Sequence, residues 1–165
     1  MEKIISGAVV LLICLLVTSC AQTKSVAVRL TGFFMIPGPG TIMADENGQA
    51  IDPVRDTVFT LYVETKNSSV QWETAWKNNR SFSVIPQPVT TALVVGETKS
   101  TGRKISISPS SGNTLWQLEL SDDQQKTRPP QPVSGHEILL KGISNKQPFF
   151  VKLSSLTELA SPLYQ

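Results

Sequence analysis

The chain is poor in the residues that most protein chemistry draws on. It has one histidine and two cysteines in 165 residues, so several converging zinc ligands or a cysteine–histidine pair have little to be built from. A Ser-His-Asp arrangement would have to recruit His136, between Gly135 and Glu137 where a strand is expected to begin, and a surface histidine at a strand start is the simpler reading. No Gly-x-Ser-x-Gly elbow occurs, and Ser110-Ser111 has no base beside it in sequence. Asp45, Glu46, Asn47 and Asp52 lack the spacing of an EF-hand loop, and nothing nominates a carboxylate pair for glycoside chemistry. We therefore expect no catalytic residues, no metal and no cofactor, and a protein that is not an enzyme.

Charge is also scarce. Only 17% of residues are charged and the formal net charge is +2, with the signs interspersed, which gives no electrostatic case for nucleic acid. The densest basic group, Lys99 with Arg103 and Lys104 around Gly102, reads as a solvated turn. At 40% hydrophobic the chain has enough apolar residues to fold, and its length suits one domain.

One long apolar run is present, from Ile4 to Val17 behind Met1-Glu2-Lys3. It is shorter than the roughly 20 residues a membrane-crossing helix needs, and polar residues follow it at once. The run closes on Leu16-Val17-Thr18-Ser19-Cys20, which resembles the lipobox of bacterial lipoproteins. The resemblance implies a signal peptide over residues 1–19, cleavage between Ser19 and Cys20, a diacylglycerol on the Cys20 thiol and, as is usual in the family, a third acyl chain such as palmitate. Ala21, where an aspartate would retain the protein in the inner membrane, resembles the outer-membrane default. Cys14 would leave with the signal, so the mature chain would hold no intrachain disulfide and would depend on its own core.

Beyond Ala21 no segment keeps the three-and-four spacing of an amphipathic helix, and alternation takes over. Val26, Val28 and Leu30 share one face of a strand, as do Phe59, Leu61 and Val63 of another. Further strands are expected over 70–76, 82–85, 89–95, 104–108, 114–120, 136–140 and 148–153, punctuated by turns such as Lys77-Asn78-Asn79-Arg80 and broken by Pro86-Gln87-Pro88. Strands at this spacing predict an all-β fold, a single antiparallel β-sandwich of the immunoglobulin or transthyretin type over residues 26–155. Residues 20–25 form a short tether before it and residues 156–165 a C-terminal tail.

Two long connections interrupt the pattern. The first, Phe34 to Arg55, begins with Phe34, Met35 and Ile36, too apolar for a free segment, and we expect it to pack on the domain or dock a partner. The second, Ser121 to Gly135, reads as a polar, mobile excursion ending in a polyproline-like stretch. Trp72 and Trp76, four positions apart, should project from one face of an extended strand. Exposed, they would make a stacking platform for sugar rings. Core packing is the favoured reading, and more strongly for Trp116, which shares a face with Leu118 and Leu120.

An early strand after Cys20, then Glu46-Asn47-Gly48-Gln49-Ala50-Ile51-Asp52-Pro53 and a strand carrying Leu61-Tyr62, is similar to the outer-membrane lipoproteins of type VI secretion systems. That resemblance implies a transthyretin-like sandwich whose loops hold the periplasmic end of an inner-membrane protein, with the Phe34 to Arg55 loop as docking element. The expectation is thus a lipid-anchored envelope protein that scaffolds a complex such as a secretion system, with a protein partner. A ligand-binding lipoprotein that captures glycans through Trp72 and Trp76 is the alternative.

Overall fold

The computed structural model describes residues 26–38, 43–44, 46–47, 49–51, 56–66, 69–123 and 125–161. Ser19 and Cys20 lie outside them, as does the whole apolar run. The described elements are all strands: β1 (Ala27–Met35), β2 (Met43–Ala44), β3 (Ala50–Ile51), β4 (Val58–Thr65), β5 (Val70–Lys77), β6 (Arg80–Val89), β7 (Leu93–Glu97), β8 (Lys104–Ile107), β9 (Thr114–Asp122), β10 (Ile138–Ser144), β11 (Gln147–Leu153) and β12 (Thr157–Glu158). The fold is all-β, as the alternation predicts.

Eight strands form one sheet in the order β11-β10-β5-β6-β9-β4-β1-β12, while β2-β3 and β7-β8 are separate two-stranded ribbons. Tight turns link the neighbours. Asn78 and Asn79 join β5 to β6, and Asn145 and Lys146 join β10 to β11, each pair with positive φ of about 50° to 63°. Left-handed backbone at both central residues matches the twist of paired strands, and asparagine tolerates it well.

The large sheet curls so that its inner face closes on itself. Leu61, Val63, Trp72, Phe82, Leu118, Ile138, Leu140 and Leu153 make the main core there. Gly32 of β1 allows the closure, since a Cβ at that position would press on Leu153 of β11 and lie 2.6 Å from Leu156. The outer face of β1, β4 and β9 carries a second, smaller core of Phe33, Tyr62 and Leu115, covered by Leu93, Val95, Ile105 and Ile107 of the β7–β8 hairpin. Burial beneath the hairpin also raises the Tyr62 phenol pKa. Layering therefore comes from one curled sheet and a hairpin laid on its back.

Several local expectations change. β6 runs straight through Pro86 and Pro88 to Val89, because beyond Ser83 its ladder is with β9 alone. A proline that lacks an N–H loses no bond on a side with no neighbour, and it blocks further pairing there. Val28 falls at a register irregularity in β1 and is half exposed, apart from the apolar face expected of it. Residues 157–158, expected in a tail, form β12, which pairs parallel to β1. Leu159 donates to the Phe34 carbonyl at 2.9 Å and Ala160 to that of Glu97 at 2.8 Å, so the C-terminal segment stitches the β7–β8 hairpin to the sheet.

Candidate functional site

The two tryptophans that made a candidate platform do not share a face. Trp72 pairs with Gly142 of β10 and Thr74 with Lys141, leaving Glu73 as an extra residue in a β-bulge. One extra residue reverses the alternation after it. Trp72 points inward, edge-on to Phe149 with ring centroids 5.6 Å apart. Trp76 points outward beside Leu139, and its indole N–H donates to the Thr127 carbonyl at 3.1 Å. Both are buried, at 5% and 4% exposure, so neither offers a sugar-stacking face. The cover over Trp76 comes from the connection expected to be a mobile excursion, because two apolar side chains on the outer face, Trp76 and Leu139, have to be shielded from water. Trp116 keeps its expected inward face with Leu118 and Leu120, and its N–H donates to Thr65 at 3.1 Å.

Phe34, Met35 and Ile36 also separate. Phe34 and Met35 belong to β1 rather than to a loop, with Phe34 opposite Phe59 on the inner face and Met35 opposite Val58 on the outer. Ile36 follows the strand and is 41% exposed.

What the fold does assemble is a mouth at one end of the curled sheet. Ala27 pairs with Thr65, and Thr65 with Thr114, at one end; Met35, Val58, Leu120, Phe82 and Lys77 lie toward the other. The mouth is thus the length of β1, roughly 25 to 30 Å, from the point where the chain enters the sheet. A cavity of about 420 Å3 opens there, with Phe34, Phe59 and Leu156 as its apolar surface and Lys77, Asn78 and His136 among its polar groups. Lys77 Nζ donates to the Gly135 carbonyl at 2.6 Å and sits 5.7 Å from the centre of the Phe59 ring. Desolvation lowers its pKa below that of an ordinary lysine. His136, expected to begin a strand, lies in the turn before β10, which starts two residues later at Ile138. The space continues past Lys77 into a cleft lined by Asp56, Arg80, Glu119 and Asp122, in which Arg80 and Asp122 pair at 2.7 Å.

A second charged constellation lies on the outer face, near the end where the chain enters. Glu64, 2% exposed, accepts from the Ser110 backbone N–H and from Asn113 Nδ2, both at 2.9 Å, and pairs with Arg29 at 2.9 Å. Arg29 in turn donates to the Ser108 carbonyl at 2.8 Å. Burial pushes the Glu64 carboxyl upward, but the bonds from Ser110 and Asn113 together with the Arg29 charge outweigh it and hold the pKa below the usual carboxylate range. This network ties β1, β4 and the connection before β9 together. The sequence hinted at it only through a lone carboxylate inside an apolar strand, and Lys77 carried no stronger signal than a strand-end lysine.

Among the described residues no three His, Cys, Asp or Glu side chains converge as a metal site. No family model matches the chain, and no curated protein or solved structure matches it.

Proposed function

We propose that the protein is a non-enzymatic lipoprotein of the bacterial cell envelope, held by an acylated Cys20 in what Ala21 marks as the outer membrane. In this reading it serves as a scaffold or assembly subunit of an envelope complex such as a secretion system. The observation that carries the proposal is the Leu16-Val17-Thr18-Ser19-Cys20 sequence standing just ahead of β1. Ala21 to Ser25 span at most about 18 Å when extended, so the strand would start close to the bilayer. Two or three acyl chains hold a protein firmly where one does not. Because β1 runs away from that point, the mouth and the exposed Ile36 lie at the far end of the sheet, where a partner can approach without displacing lipid. The glycan-reading alternative has no geometric support, since both of its tryptophans are covered.

Two measurements test this. Cys20→Ser should move the protein from the membrane to the soluble fraction after osmotic lysis; retention in the membrane would refute the anchor. A photo-crosslinking residue in place of Ile36 should trap one discrete envelope protein in intact cells. Adducts no different from those formed at exposed Gln71, toward the opposite end of β5 from Lys77, would refute the docking role of that end.

A further inference from the structure

Lys77 is a cation without a counter-charge among the described residues. It is the last residue of β5, and its stem turns onto the inner face over Phe59. One of its three donors is taken by the Gly135 carbonyl, and among the described residues no carboxylate lies within ion-pairing distance of it. Lys141, the other half-buried lysine among the described residues, is matched by Glu73 at 2.6 Å. A partly desolvated charge facing apolar surface is unfavourable until an opposite charge joins it, and the interaction is strengthened by the same loss of water.

The surroundings say what kind of anion would suit. Phe34, Phe59 and Leu156 present a continuous apolar surface beside the ammonium group, and a volume of about 420 Å3 is on the scale of a small-molecule site. Asn78 and His136 on the same cavity can bond a second oxygen. Asp56 and Glu119 in the adjoining cleft oppose a multiply charged ligand such as a phosphate monoester and leave room for one negative charge. We propose that the cavity at the mouth binds a small amphipathic monocarboxylate, with its apolar body on Phe34, Phe59 and Leu156 and its carboxylate on Lys77. The site does not depend on the lipid anchor or on a protein partner, and its failure would leave both untouched.

Calorimetric titration of the full chain in nonionic detergent tests it, with 4-phenylbutyrate as probe and 4-phenylbutanamide as its neutral match. The acid should bind saturably and roughly tenfold tighter than the amide, the margin of one charge-assisted bond. Lys77→Met should bring the acid down to the affinity of the amide while leaving the amide unchanged. Ser155→Trp, at an exposed position lining the cavity, should fill it and abolish both. Equal binding of acid and amide by the unmodified chain would overturn the proposal, and that comparison holds even if Lys77→Met does not fold. So would the absence of saturable acid binding, full acid affinity in Lys77→Met, or acid binding that survives Ser155→Trp.

Discussion

Glu64 and Lys77 each place a charge on a sheet face where an apolar side chain would pack more simply, and the protein treats them in opposite ways. Around Glu64 the fold supplies everything a carboxylate requires: a guanidinium, a backbone N–H and a side-chain amide, from segments far apart in sequence. Around Lys77 the described residues supply one carbonyl and an aromatic ring. A buried charge whose partners all come from the protein works as a clasp between elements, whereas one with no counter-charge is stabilised by whatever anion arrives. The first belongs to the architecture and the second to binding.

Removing the clasp should have the largest effect. Glu64→Ala removes the shared acceptor of the Ser110 N–H, Asn113 and Arg29 and leaves a gap at a fully buried position, and urea unfolding should show a loss of about 3 kcal/mol. The same carboxylate gives the comparison a pH signature. A carboxyl held below its unfolded pKa contributes fully above the ordinary glutamate range, and that contribution drains away as pH falls through the lowered folded value. The parent protein should therefore lose stability on acidification more steeply than Glu64→Ala, and parallel profiles would mean that Glu64 is not the clasp.

Gly32→Ala probes the seam that closes the sheet beneath the mouth. The added methyl must displace Leu153 and Leu156, at an expected cost of about 2 kcal/mol, and because Leu156 also lines the cavity, the affinity of the mouth for the phenyl probes should change with it. Lys77→Met should have the smallest effect on stability. Loss of the bond to Gly135 is offset by release of a poorly solvated charge, so unfolding should stay within about 0.5 kcal/mol of the parent. A loss as large as that of Glu64→Ala would erase the distinction between clasp and site.

Much of the architecture was legible in residue order. The inward faces of β4 and β9 follow the alternation of Phe59, Leu61 and Val63 and of Trp116, Leu118 and Leu120, and the Asn78-Asn79 turn sits where its residues place it. The errors cluster where a neighbour overrules local pattern. Prolines 86 and 88 end a strand only if both sides need N–H donors, and β6 has a partner on one side there. The 123–137 connection is polar in composition yet packs, because Trp76 lies beneath it.

By itself the sequence determined the strand-forming segments, the poverty of catalytic side chains and the acylation-like sequence at Cys20, because each is written in local order and composition. Only the tertiary structure decided that Trp72 and Trp76 part company at Glu73, that Gly32 lets β11 reach β1, and that among the described residues Glu64 has a counter-charge while Lys77 has none. Those outcomes depend on register and on which distant strands become neighbours, and a two-residue period carries no information about either.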